Sequence, residues 1–400
     1  MKVVQINAVY QYSSTGRNVK EMHFFLQKKG VGSFVFCTNY KEESNQIYKI
    51  GSLFDYKLHA FLSRVMGLQG YFSFFATKKC IKRLKEISPD VVVLNNLHAN
   101  YVNLPMLLKY LAKYDIPTVL VLHDCWFFTG HCCHYTEDQC YKWQTECHHC
   151  PILHKYNKSL FFNHSRRIFK DKQRLFGQIK RLAIIGVSDW ITNEARKSLL
   201  KKAKTIHRIY NWIDLEIFKP VPADDLRRQL KIAADQFVIL GVAQGWSEKK
   251  GLSLFVSVAE HFPECKVVLV GTIPNEYTLL VNMITVGTVN DVYLLAKYYS
   301  MVNVFLNPSI QETFGKVSAE ALACGTPVIA NDATANPEIV GDCGFVVHNN
   351  SKQEIYTAIH QIQETGKKYY TTMCVKRAAE LFNRETNLRE YLQVYKDLSD

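Results

Sequence analysis

The chain has 400 residues, a formal net charge of +13, and a composition that is 48% hydrophobic, 12% aromatic and 21% charged. That length exceeds one ordinary core and suits two domains of about 200 residues each, and the composition excludes a disordered or low-complexity chain. There is no run of about 18 apolar residues, which excludes a membrane-spanning helix of the usual kind.

Short β-branched runs alternate with longer helical stretches. Strands are predicted in the first half at residues 3–8, 33–38, 91–95, 118–122, 183–187 and 206–210. In the second half they are predicted at 237–242, 266–270, 284–286, 303–307, 327–330 and 345–347. These runs are apolar throughout rather than alternating, as strands are when helices cover both faces of a parallel sheet. Strand and helix in alternation give a doubly wound α/β layer, and the pattern occurs twice. The expected fold class is therefore α/β, with two doubly wound Rossmann-like domains whose strand ends face a central cleft. Pro220 and Pro222 punctuate a boundary near residues 211–222. This gives domains at 1–212, with a Cys-rich insertion at about 125–151, and at 213–385. A C-terminal helix at 386–400 is expected to pack back on the first domain.

Taken in order, the N-terminal apolar run soon turns polar and reads as a first strand rather than a signal peptide. It leads into a loop at 10–19 that contains Gly16 and Arg17; the dinucleotide fingerprint Gly-x-Gly-x-x-Gly is absent. His123 ends the strand 118–122 and is followed by Asp124. Six of the 12 cysteines then fall between Cys125 and Cys150. Without an export signal, that usage points to the reducing cytosol, where free thiols or metal ligands outnumber disulfides. Cys132, Cys140, Cys147 and Cys150 could hold a tetrahedral structural zinc, since the loop has few apolar residues with which to fold alone. Cys133, His131, His134, His148 and His149 are alternative ligands, and buried free thiols or a disulfide are alternative states.

Between Pro151 and Pro220 there are 16 Lys and Arg against 5 Asp and Glu. The segment 166–176 places basic and apolar groups at helical spacing. Such a face suits anionic lipid headgroups or a phosphate-bearing acceptor, and a solvated basic helix is the plain alternative. No nucleic-acid recognition module is visible, so no nucleic-acid partner is expected.

In the second half, strand 303–307 is followed by Pro308, Ser309, a loop up to Gly315 and a helix over about 316–324. Gly325 is a plausible helix terminator. Glu312 lies in the loop and Glu320 lies one to two turns into the helix. Both can face a ligand at the helix N-terminus, whose unpaired N–H groups and partial positive charge suit a diphosphate. Glycine at 315 lets the backbone come close. A carboxylate accepts two hydroxyl hydrogen bonds, so the Glu pair suits ribose and hexose hydroxyls.

The stretch from Glu312 through Phe314-Gly315 and Glu320 to Gly325-Thr326-Pro327-Val328-Ile329 resembles the signature of the retaining GT-B glycosyltransferases of the large fourth family. The resemblance implies that Glu312 faces the donor sugar and Glu320 holds the ribose. It also implies that the backbone at Thr313, Phe314, Gly315 and Lys316 meets the sugar and phosphates. The segment 243–252 is similar to the family's second donor element, with Lys250 at the Lys position. Gly245 stands where the family usually has Arg, and Lys249 could supply the missing charge. Two cations there would neutralise the leaving diphosphate without a metal. The loop carrying Gly16 and Arg17 resembles the family's first glycine-containing loop, which passes near the donor phosphates and the acceptor and so implies donor-binding roles for both, and His123 resembles a His near the donor sugar. Trp126, Thr129, Gly130, Cys132, Cys140, Trp143, Cys147, Cys150 and Pro151 resemble a colanic-acid-type, exopolysaccharide subgroup.

The resemblance implies a hexosyltransferase with Glu312, His123 and Lys250 as catalytic residues. It would use a nucleotide-diphospho-sugar, UDP before GDP, and needs no cofactor for catalysis. The acceptor would be a hydroxyl of a growing, lipid-linked polysaccharide of the capsule, exopolysaccharide or lipopolysaccharide kind. The expected place is bacterial cytoplasm, at the inner face of the anionic membrane. A nucleotide-sugar 2-epimerase and a non-enzymatic zinc-containing RNA-binding protein are the rival readings.

Overall fold

The computed structural model describes residues 1–40, 44–274 and 277–400. The chain divides into two compact units. One comprises Met1–Ile209 with Leu388–Asp400, and the other Tyr210–Asn387.

The first unit is built on seven parallel strands: β1 (Lys2–Ile6), β2 (Gly32–Cys37), β3 (Ile47–Lys49), β4 (Val91–Leu94), β5 (Thr118–Leu122), β6 (Leu182–Gly186) and β7 (Thr205–Arg208). Their order is β3-β2-β1-β4-β5-β6-β7. β4, β5 and β6 are buried along their whole length, which is why they read as unbroken apolar runs. The second unit has β8 (Val238–Gly245), β9 (Lys266–Thr272), β10 (Met283–Thr285), β11 (Val304–Asn307), β12 (Val328–Asn331) and β13 (Gly344–Val347). These are also parallel, in the order β10-β9-β8-β11-β12-β13. The expected double α/β arrangement is thus present, with every predicted strand.

The sequence missed β3. It is three residues long at the sheet edge, and only Ile47 of it is buried. Strand order reverses at β1/β4 and at β8/β11, and in sheets of this kind ligands sit beyond the carboxyl ends of the strands at that reversal.

Two local expectations are corrected. The Cys-rich insertion does have an apolar core. Trp143 is buried with ring centroids 4.9 Å from Phe128 and 5.0 Å from Tyr135, and Tyr135 lies over Trp190 at 6.3 Å. The Tyr135 hydroxyl donates to Glu194, which anchors the insertion on helix Asp189–Lys197. The basic segment does form a helix, Ser165–Phe176, but its cations are not displayed freely. Arg166 and Lys170 both reach Glu146, at 2.9 and 3.0 Å, and Arg174 reaches Asp171 at 2.8 Å. Lys172 points inward.

Leu388–Asp400, all but its last residue in helix Arg384–Ser399, contributes buried Leu388, Tyr391, Tyr395 and Leu398 to the first unit. Among the described residues no helix is long and apolar enough to cross a membrane.

Candidate active site

Most predicted donor residues gather in the second unit, beyond β8 and β11. After β8 the chain makes a short turn, Glu248–Lys250, that ends at Gly251. Gly251 has φ +76°, and a Cβ there would lie 2.4 Å from Pro308 Cγ. The turn therefore seats against the loop that follows β11, which only glycine permits. This seating brings Lys250 Nζ to 3.5 Å from both Glu312 Oε1 and Ser309 Oγ. The Glu312 side chain is 20% exposed and that of Lys250 46%, so the pair is open to a ligand.

Glu312 is held by its backbone. Its N–H donates to Thr334 Oγ1 at 2.9 Å, and its carbonyl accepts from Ala335 N–H at 3.1 Å. Thr334 sits at φ +53°, a conformation that costs a β-branched residue about 1–3 kcal/mol. Gly315, at φ +83°, precedes helix Lys316–Ala323, whose first N–H groups form an anion-binding end. Beside it, Asn336 donates to the Ser309 carbonyl at 2.9 Å, and its buried Oδ1 has no partner among the described residues. Ser309, Thr334 and Asn336 were not found from sequence. Ser309 follows β11 while Thr334 and Asn336 follow β12, so only the β11/β12 pairing brings them together, and no local pattern signals that.

Other predicted residues sit differently. Phe314 packs inward on Tyr210 and Phe382, at 6.1 and 5.3 Å, leaving its backbone for the site. Thr313 is buried, and Lys316 half-buried. Glu320 is 2% exposed and accepts from the Tyr299 hydroxyl at 3.1 Å, so it is far less open than Glu312. Lys249 is exposed on the turn. Gly245 ends β8 and is exposed, with nothing within 4 Å of a Cβ placed on it.

Gly16, Arg17 and His123 belong to the first unit, in segments that follow β1 and β5. Gly16 is buried in the first turn of helix Ser13–Lys28, and Arg17 is half-buried. Asn7 Oδ1 accepts from Asn96 N–H at 3.1 Å, which ties the loops after β1 and β4. His123 Nε2 lies 3.0 Å from Asn95 Oδ1.

Next to it, Asp124 pairs with His98 at 2.8 Å and accepts from Trp126 N–H at 2.8 Å. Burial alone would raise the Asp124 carboxyl, but the charge and hydrogen bond of His98 overcome it and hold it at about 2. His98 is held well above its ordinary value: burial works against its charge, and Asp124 and Cys133 outweigh burial.

All twelve cysteines are free thiols. Among the described residues, the only group of three or more potential metal-ligating atoms within 4.8 Å is His98, Asp124 and Cys133. Cys132, Cys140, Cys147 and Cys150 neighbour one another without converging into such a group. Gly130 N–H donates to Cys147 Sγ at 3.2 Å.

A family model described as Glycosyltransferase Family 4 matches residues 15–217, and one described as Glycosyl transferases group 1 matches residues 236–365. Over 328 residues the chain is 22% identical to a protein of Escherichia coli K12 named as the colanic acid biosynthesis glycosyl transferase WcaC, covering 78% of this chain and 77% of that one. It is 26% identical over 181 residues to the N-acetyl-α-D-glucosaminyl L-malate synthase of Bacillus anthracis, covering 43% of this chain and 47% of that one. The chain thus spans about half the length, or less, of several curated relatives it matches.

Sucrose-phosphate synthase from Thermosynechococcus elongatus superposes with a TM-score of 0.70 at 18% identity, over 99% of this chain and 98% of that one. Anabaena Alr3699/HepE, solved with UDP and glucose, superposes with a TM-score of 0.66 at 17% identity, over 99% of this chain and 100% of that one. At these identities the structures share the fold alone, two Rossmann-like domains of GT-B type. With its two halves matched in chain order by these family models, this chain belongs to glycosyltransferase family 4.

Proposed function

We propose that this protein is a retaining hexosyltransferase that moves a sugar from a nucleotide-diphospho-sugar to a hydroxyl of a growing cell-surface polysaccharide. The observation that carries it is the Lys250–Glu312 pair, poised at 3.5 Å beside the Gly315 entrance to helix Lys316–Ala323. Lys250, Lys249 and the helix N–H groups neutralise the diphosphate as it leaves, so catalysis needs no metal there. Glu312 accepts from donor-sugar hydroxyls, and the unpaired Asn336 Oδ1 offers a second acceptor beside it. Glu320 takes the ribose, which requires it to exchange its Tyr299 partner for ligand. Gly16 and Arg17 of the first unit meet the donor phosphates as well as the acceptor, and His123, beside Asn95, orients substrate near the donor sugar.

Family membership supports the reaction class. UDP as carrier is supported by HepE, a structure named with UDP and glucose, and the polysaccharide by WcaC, named for colanic acid biosynthesis. A lipid-linked acceptor at the cytoplasmic face of the membrane fits that reading.

The test is nucleoside diphosphate release from each common UDP- and GDP-sugar. One donor is expected to be turned over. Glu312→Ala and Lys250→Ala are each expected to cost about a hundredfold or more in kcat, with unchanged thermal unfolding. Full activity in Glu312→Ala would sink the assignment, and epimerisation of donor without transfer would favour the epimerase reading.

A further inference from the structure

Helix Leu53–Met66 buries two polar residues and leaves several large apolar ones exposed. Of its 14 residues, only His59 and Ser63 are buried. His59 Nδ1 lies 2.7 Å from Ser73 Oγ, and its Nε2 accepts from Gly70 N–H at 3.3 Å. Burial lowers this imidazole to about 4, so the inward face is neutral and hydrogen-bonded. Outward, Phe54, Leu58 and Phe61 fall on one helical face. Phe54 is 72% and Phe61 62% exposed.

Two further segments extend this surface. Leu160 N–H donates to the Arg64 carbonyl at 2.7 Å, which sets residues 160–162 at the end of the helix. There Phe161 is 71% exposed. Ser73, bonded to His59, starts helix Phe74–Ile87, and Phe75 at its head is 76% exposed. Lys57, Arg64, Lys78, Lys79 and Lys82 are exposed on the same two helices. Large apolar side chains exposed on these neighbouring segments, with cations on the same two helices, are not what water alone favours.

We propose that helix Leu53–Met66, the head of helix Phe74–Ile87 and residues 160–162 form a docking surface for an anionic lipid bilayer. The phenylalanines and leucines enter the interface, and the lysines and Arg64 on the same helices meet headgroup phosphates. The exposed cations decide the occupant. A second copy of the chain would have to meet this face with the same cations, because a two-fold contact pairs a patch with itself. An anionic membrane complements both its apolar and its charged parts. The helix Ser165–Phe176, which the sequence suggests for this role, is the weaker candidate because Arg166 and Lys170 are taken by Glu146.

The inference deepens the lipid-linked acceptor reading, but membrane binding is read here without any sugar donor. The purified full chain is sedimented with vesicles of phosphatidylcholine, alone or mixed with phosphatidylglycerol. It is expected to sediment with the mixed vesicles, and less so at high salt. The triple variant Phe54→Ser, Phe61→Ser, Phe161→Ser is expected to lose about tenfold in apparent affinity, while keeping its melting temperature and its release of nucleotide from soluble donor. Arg166→Gln with Lys170→Gln is expected to keep most of the binding. The proposal is overturned if wild-type protein stays in the supernatant with anionic vesicles, or if the triple serine variant binds them as well as wild type. It is also overturned if the face instead holds a dimer that those serines dissolve. Failed donor turnover with intact vesicle binding would reject the enzyme reading alone.

Discussion

At the residue scale, the site depends on a strained threonine. Thr334 holds φ +53° while its hydroxyl accepts from the Glu312 N–H at 2.9 Å and donates to the Ala333 carbonyl at 2.7 Å. Glycine adopts that backbone without cost, so Thr334→Gly removes strain and the hydroxyl together. The expected outcome is a melting temperature equal to or above wild type with a lower kcat, because the loop bearing Glu312 loses its fixed hold. A thermal scan beside steady-state donor turnover checks both halves; a fall in stability with unchanged kcat would remove Thr334 from the positioning role. The sequence carries the Glu312 and Glu320 spacing because both lie within one loop and helix. It cannot carry Thr334 or Asn336, which reach Glu312 and Ser309 from the segment after β12. Nor can spacing reveal that Glu320 is shielded beneath Tyr299 while Glu312 is open.

At the element scale, periodicity locates helices but does not say which face lies inward. The segment 166–176 shows this: its basic and apolar spacing suggests a surface face, yet Lys172 is buried beneath the insertion. Its Nζ donates to the Trp126 and Thr129 carbonyls and lies 3.6 Å from the centroid of the Trp126 ring. Burial pushes this amine down to about 7. The unfolded chain keeps the proton up to about 10.4, so the folded chain binds fewer protons between those values. Stability from this group therefore rises with pH across that window.

Lys172→Met removes the titration and leaves two carbonyls without their donor, a cost of about 1–3 kcal/mol each at most. The stability difference between wild type and Lys172→Met is expected to grow from pH 7 to pH 9 in parallel urea titrations. A difference that is flat or shrinks with pH would show that the amine is not held in this state. Strands are more legible than helix faces because burial on both sides leaves an apolar run with no phase to misread. β3 escapes because Ile47-Tyr48-Lys49 is too short for such a run. Composition misleads at the insertion: few aliphatic residues are present, but Phe128, Tyr135 and Trp143 supply its core. Zinc analysis of the purified chain decides whether Cys132, Cys140, Cys147 and Cys150 close on a metal as well.

At the scale of the whole molecule, the chain leaves the first unit near residue 209 and returns to it at residue 388. The second unit is thus an insertion, as structure goes, into the first. Sequence punctuation can mark the outward crossing at Pro220 and Pro222, since a turn is local. The return falls inside helix Arg384–Ser399 at residue 388, close to the helix at 386–400 expected from the sequence to pack back on the first domain.

The two units make opposite predictions about heat and ligand. Tyr395 is 1% exposed and belongs to the first unit, although it lies five residues from residue 400. Tyr395→Ala is expected to cost that unit about 3–5 kcal/mol, as truncation of a large buried aromatic does. Phe255, fully buried between β8 and Trp246 in the second unit, gives the matched control. In scanning calorimetry, Tyr395→Ala should lower one transition and Phe255→Ala the other. A nucleoside diphosphate binding beside Lys250 and Glu312 stabilises only the unit that holds it, by about 2.7 kcal/mol at a hundred times its dissociation constant. UDP should therefore raise the transition that Phe255→Ala lowers and leave the Tyr395→Ala transition in place. A shift confined to the first unit's transition would move the donor site to the wrong half of the chain and overturn the roles given to Glu312 and Lys250. A single transition that both variants lower equally would mean that the units unfold together, and UDP protection of Lys250 from acylation would then locate the donor.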